Sequence, residues 1–425
     1  MMKWGIASVA FVGASAFVGF AMPQLATVEY DRTVAVPEIV KETVEDVIDA
    51  REVVTHVPLP EQVRAIYMTS CVAGTPSFRE DLVTLMRETE VNSVVIDIKD
   101  YSGTISFPPM HESWMPAWKE ARCGTSDMKD LIAELHEDGI FVIGRITVFQ
   151  DPFYSETHPE LAVKKADRVS VWRDYKGLAF IDVGAQAYWD HLIELVVDSY
   201  NIGFDELNFD YVRYPSDGPM SDIAFTHGEY GDDKQANLEA FFKYLNEKLD
   251  DEELFAAVRH ENTGREKDTP WTSADLFGMT TTNTDDLSIG QIIERAAPYF
   301  DFIAPMVYPS HYPDSFLGLG NPNNHPYKVV NYAMESGVER MVATTTVVAG
   351  FEHERIGTTT PARYTKPVWG ADKLRTWIQD FDYGGDYDAE DVRAQIQASY
   401  DAGVMSWMIW APSNVYTRAA LYDAE

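Results

Sequence analysis

Basic residues are scarce in this chain. Its 34 lysines and arginines face 68 aspartates and glutamates, a formal net charge of -34 at pH 7. Such a charge repels nucleic acid phosphates and anionic membrane surfaces, so no nucleic acid partner is expected and a neutral or cationic one fits better. Simple solubility in a salty habitat explains the acidity equally well. The 10 histidines form no His-Glu-x-x-His pair and no His-x-His on the first strand, which argues against a zinc hydrolase. No Gly-x-Ser-x-Gly elbow presents a serine nucleophile. No Gly-x-Gly-x-x-Gly or phosphate loop cradles a nucleotide, so no cofactor is expected. Cysteine is limited to Cys71 and Cys123, and Cys71 has no evident histidine partner for catalysis.

Residues 4–22, preceded by Lys3, carry no charge, and no other segment could cross a membrane. Residues 1–22 therefore read as an export signal or a membrane anchor, with Gly19-Phe20-Ala21 as a weak small-x-small cleavage site. Residues 23–60, acidic and broken by Pro37, Pro58 and Pro60, read as a short stalk or linker. Export implies an oxidising compartment, periplasmic, secreted or anchored facing outside. A Cys71–Cys123 disulfide is then expected, because one cysteine follows strand one and the other lies in the loop after strand two, on the same rim. Two buried thiols are the alternative.

Residues 61–425 form one region in which apolar strands alternate with helical segments. Strands are expected over 64–70, 93–99, 141–147, 205–211, 271–277, 302–308, 375–381 and 405–411. Helices are expected over 78–88, 127–138, 185–200, 235–249, 252–261, 289–299 and 389–401, with a strand-like insertion over 341–351. Eight strands connected this way pair in parallel, so the fold class is α/β, a (β/α)8 TIM barrel with insertions. An open doubly wound sheet is the alternative, weakened by the missing glycine-rich fingerprint.

Strand four carries the chemistry. Leu207, Phe209 and Tyr211 alternate with Asn208, Asp210 and Val212. That puts an amide and a carboxylate on one face of a strand that burial alone would make apolar on both. Polar groups recur at other strand ends: Asp97 and Lys99, Arg145, Asp275, Tyr308 with Ser310 and His311, Gln379 and Asp380, and Trp410 with Asn414. In a barrel these ends converge on one face. Carboxylates among aromatics, in a chain with 10 Trp and 22 Tyr, point to glycoside chemistry, in which paired carboxyl groups flank a linkage and aromatic rings stack on sugars.

Asp210 is the expected nucleophile or base and Asp275, on the neighbouring strand, the expected acid. Asp380 and Asp97 are the reserves, and Asp97, paired with Lys99 or Arg145, alternatively orients substrate. Tyr308 and Trp410 form a sugar platform, with Gln379, His311 and Asn414 bonding hydroxyls, and Asn208 and Arg213 complete the substrate contacts. Trp410 as plain core is the competing reading. Two rivals stand beside catalysis: a glycan-binding barrel without catalysis, and a divalent cation held by Asp97, Asp210 and Asp275. The expected partner is a polysaccharide or oligosaccharide.

The segments Val-Val-Ile-Asp-Ile-Lys-Asp-Tyr-Ser-Gly (94–103), Asn-Phe-Asp-Tyr-Val-Arg-Tyr-Pro (208–215), Ser-Ala-Asp-Leu-Phe-Gly (273–278), Pro-Met-Val-Tyr-Pro-Ser-His-Tyr (305–312) and Trp-Ile-Gln-Asp-Phe (377–381) resemble a bacterial family assigned to the glycoside hydrolases. The resemblance runs from residue 64 to the C-terminus. It implies a TIM barrel distantly similar to the α-amylase-like barrels, whose nucleophile is an Asp ending strand four and whose acid is a Glu ending strand five. Asp210 matches the first position, whereas the second is Asp275, not Glu. Insertions over 261–269 and 344–368 depart from the family and are expected to reshape the cleft.

Overall fold

The computed structural model describes residues 51–262 and 264–424. The expected signal or anchor and the stalk up to residue 50 lie outside the described residues. Among these, no helix is long and apolar enough to cross a membrane.

Eight parallel strands close into a barrel: β1 (Arg64–Met68), β2 (Ser93–Lys99), β3 (Phe141–Thr147), β4 (Glu206–Asp210), β5 (Trp271–Phe277), β6 (Phe302–Met306), β7 (Thr376–Gln379) and β8 (Trp407–Trp410). They pair in sequence order, and β8 returns to β1 through Trp407 opposite Arg64. Alternation sorts their side chains into two cores. Ile66, Val94, Ile96, Val142, Leu207, Phe209, Leu276 and Ile303 pack outward with the helices. Ala65, Tyr67, Val95, Phe141, Ile143, Trp271, Ala304, Trp377 and Met408 fill the interior. At Gly144 on β3 an added Cβ would lie 2.2 Å from Ile98 Cδ1, so glycine is required by close packing on the helix side.

The main outer helices are α1 (Pro76–Glu88), α2 (Met128–Glu137), α3 (Gln186–Asn201), α4 (Lys234–Leu249), α5 (Ile293–Ala296), α6 (Pro326–Val342) and α7 (Ala389–Asp401). Their ends follow local chemistry. Asp233 caps α4 by accepting from the Ala236 amide, and Asp388 with Asp391 forms a capping box on α7. The stripe Met128, Leu131, Ile132 and Leu135 buries α2.

Several elements differ from the sequence expectation. The helix expected over 289–299 shrinks to α5, because Gly290 takes φ +86° and Ile292 is extended. The helix expected over 252–261 is a 3-10 turn, Glu252–Phe255, followed by a strand, Arg259–Glu261, that pairs in parallel with Val53–Thr55. Its partner lies some two hundred residues away, beyond the reach of local pattern. Residues 51–60, expected as the end of the stalk, are thereby built into the barrel unit, with Val54 and His56 buried. The insertion after α6 folds as a three-stranded antiparallel sheet of Thr345–Thr346, Glu354–Ile356 and Arg363–Thr365.

Candidate active site

Three carboxyl groups on neighbouring strands surround one guanidinium at the C-terminal end of the barrel. Arg145 Nη1 donates to Asp97 Oδ1 at 2.7 Å, and Nε to Asp210 Oδ2 at 3.2 Å. Nη2 also donates to Asp210, and Nε stands 4.0 Å from Asp275 Oδ2. Sharing that nitrogen confines the two facing Asp210 and Asp275 oxygens to within about 7 Å of each other. All four residues are buried. Burial opposes charge on Arg145, but Asp210 and then Asp97 outweigh it and hold the guanidinium protonated. The place a divalent cation would take among these aspartates is thus filled by Arg145, and no metal-holding cluster occurs among the described residues.

Asp275 sits differently from Asp210. Its Oδ1 accepts from Asn208 Nδ2 at 2.9 Å and Trp377 Nε1 at 2.7 Å, leaving Oδ2 toward Arg145 and the cavity. Burial first, and the Asp210 charge second, push its carboxyl well above the usual range. Asp210 is held by Arg145 and by the Tyr211 amide, which donates to Oδ1 at 2.5 Å. Tyr211 pays for that contact with φ +52°, a strained left-handed backbone of the kind found at functional sites.

A cavity of about 380 Å³ opens above these groups. Arg145, Asp210, Asp275, Tyr211, Arg213, Phe277, Tyr308, His311, Tyr312 and Trp410 line it, with Gly278, Met279 and Met306. Trp410 stacks on Tyr67 at 4.0 Å between ring centroids and meets the Arg145 guanidinium at 5.0 Å. It is therefore both core and cavity wall. Tyr67 in turn donates its hydroxyl to Asp97.

Other expected site residues stand elsewhere. Lys99 shares no contact with Asp97: the register shifts between them, and its Nζ is buried against Asp151 at 2.9 Å. Asp380 accepts from the Thr417 amide and hydroxyl, tying down the last loop. Gln379 accepts from Ser310, and Asn414 binds Thr69 and the Tyr67 carbonyl. None of these four lines the cavity. Asn208 reaches the site only through Asp275. Cys71 and Cys123 form a disulfide. Neither insertion reaches the cavity. Arg265 in the first binds Asp205 at the opposite end of β4, and the second packs by Phe351 and Ala349 on Glu239 and Arg295.

Sequence reasoning missed Tyr67 and Trp377, although both share parity with inward residues of their strands, and the lining residues Tyr211, Met279, Met306 and Tyr312. It also missed a buried pair below the site, Arg375 with Glu206, the latter accepting from Ser273 at 2.6 Å. No local signal marks that pair.

A family model described as "Putative glycosyl hydrolase domain" matches residues 65–416. A hypothetical protein from Ruminiclostridium thermocellum is 32% identical over 46% of this chain and 96% of its own, with a TM-score of 0.38. The PgaB (BpsB) glycoside hydrolase domain from Bordetella bronchiseptica superposes with a TM-score of 0.52 at 12% identity, over 86% of this chain and 94% of its own. An alpha-galactosidase from Thermus thermophilus gives 0.46 at 10% identity, over 85% and 61%. A search of curated proteins finds no match.

Proposed function

Because the chain belongs to the family described as putative glycosyl hydrolase domains, we propose that it hydrolyses glycosidic bonds in a polysaccharide or cell-envelope glycan. Asp275 serves as general acid and Asp210 as nucleophile or base. The observation that carries this reading is the split environment of the two carboxyl groups. Asp275 is buried with its carboxyl pushed well above the usual range, and Asp210 is held by two nitrogens of the Arg145 fork. One group ready to give a proton beside one ready to attack is the division of labour that glycoside hydrolysis requires. Oδ2 of Asp275 protonates the leaving oxygen as the glycosidic bond breaks. Asp210 either bonds to the anomeric carbon, after which a water that gives its proton back to Asp275 releases the sugar, or takes a proton from a water that attacks directly, and Arg145 orients Asp210. Trp410 and Tyr308 offer ring surface to the sugar.

The disulfide and the uncharged stretch near the N-terminus support export as the setting. The ion pair on Asp210 favours a second reading, a glycan-binding barrel in which Arg145 quenches the nucleophile. Incubating the protein and its Asp210→Asn variant with bacterial and plant polysaccharides, and measuring new reducing ends, separates the two. Release by the wild type alone supports catalysis. Binding without release by either supports the binding barrel.

A further inference from the structure

Four arginines are buried among the described residues: Arg145, Arg213, Arg295 and Arg375. Three of them pair with carboxylates, Arg145 with Asp97 and Asp210, Arg295 with Glu239 and Arg375 with Glu206. Arg213 alone of the four has no carboxylate within 4 Å among the described residues, in a chain with twice as many acids as bases. Its Nη1 donates to two neutral acceptors, the Tyr214 carbonyl at 3.1 Å and Ser216 Oγ at 3.2 Å. Its guanidinium lies 4.7 Å from the Tyr211 ring centroid and 4.9 Å from that of Phe277. Arg213, Tyr211 and Phe277 all line the cavity that holds Asp210 and Asp275. Asp210 acts on Arg213 only at longer range and is already bound by Arg145.

A buried guanidinium without a counter-ion is costly, and cation–π contacts with two rings offset only part of that cost. Strained backbone at Tyr211 holds one of those rings in place, so the arrangement is maintained against a second cost. A planar fork of donors matches a carboxylate bidentately.

Resting on the glycosidase reading, we propose that Arg213 binds the carboxylate of an acidic sugar, so that the glycan cleaved here carries uronic acid or another carboxylate-bearing residue next to the scissile bond. The missing counter-ion is supplied by the substrate.

The test compares wild type, Arg213→Gln and Arg213→Lys, each checked for folding by circular dichroism and thermal melting. Calorimetry measures binding of glucuronate and galacturonate against glucose, galactose and inorganic sulfate. Turnover is measured on uronate-containing oligosaccharides and on the same oligosaccharides with their carboxyl groups reduced to alcohols. Wild type should prefer the uronate forms on the order of 10- to 100-fold, the worth of a hydrogen-bonded charge. Arg213→Gln should bring that ratio near one, and Arg213→Lys, which keeps the charge but loses the fork, should fall between. Equal binding of neutral sugars and uronates by wild type overturns the assignment, as does an unchanged ratio in Arg213→Gln or sulfate binding as tightly as uronates. If Arg213→Gln fails to fold, the wild-type ratio and Arg213→Lys decide. Uronate-selective binding without hydrolysis would keep the Arg213 assignment and sink the glycosidase reading. Hydrolysis of neutral glycans without selectivity would do the reverse.

Discussion

Strand parity, the adjacency of strands four and five and the family resemblance all point to Asp210 and Asp275, and the geometry gives each a separate demand on experiment. Replacing Asp275 by Asn removes the proton but keeps the acceptor for Asn208 and Trp377. Turnover of glycans should therefore fall about 100- to 10,000-fold, the usual worth of a general acid. An aryl glycoside whose leaving group needs no proton should lose far less. Equal losses on both substrates would remove Asp275 from the acid role. Asp210→Asn should cost at least about 1000-fold on both, since attack itself is lost, a barrier increase of ~4 kcal/mol. The raised Asp275 pKa also fixes a sign in pH. Its proton persists above the ordinary carboxylate range near 3.9, so activity should hold until pH climbs through the raised value and then decline. The same proton contributes stability that is present below the unfolded pKa and lost as pH rises through the folded one. In Asp275→Asn both the alkaline limb of residual activity and this stability slope should vanish.

The eight barrel strands were legible because each carries a buried, β-rich run whose period is local. Even the inward parity of Asp97, Arg145, Asn208, Asp210 and Asp275 could be read from alternation. What could not be read depends on partners distant in sequence. Lys99 shares the parity of Asp97 and still misses the site, because a register shift against β3 turns it toward Asp151. Gln379, Asp380 and Asn414 look like site residues by position, yet they spend their polar atoms tying one loop to another. The strand Val53–Thr55 lacked any signal of its own until Arg259–Glu261 was placed beside it. That latch carries a test. His56 stacks on Tyr200 at 4.2 Å, bonds His260 Nδ1 at 2.9 Å and faces Asp205, which also holds His136 and Arg265. Burial pulls the His56 pKa from 6.5 to about 4, with Asp205 opposing. A histidine buried neutral contributes stability that is full above the unfolded pKa and is lost as pH falls toward the folded one, here ~3 kcal/mol between pH 6.5 and 4. His56→Phe, which keeps the stack and cannot take the proton, should flatten that part of the stability profile in denaturant titrations. An unchanged profile would place the acid sensitivity elsewhere.

At the scale of the whole molecule, the net charge of -34 and the cationic groups in the cavity act over different distances. The first is a long-range field, largely exposed to solvent and therefore screened by salt; Arg145 and Arg213 are buried and screened much less. Raising ionic strength from 0.01 M to 0.15 M shortens the Debye length from about 30 Å to about 8 Å. For a substrate bearing carboxylates, the encounter is opposed by the long-range field and rewarded only at contact. Its kcat/KM should therefore rise several-fold over that salt range, through association, while kcat stays constant. A neutral oligosaccharide should show little change over the same range. If instead kcat/KM for the acidic substrate falls with salt, the local positive field already dominates at a distance and steers the substrate in. If neither substrate responds, the surface charge has no part in capture and serves solubility alone.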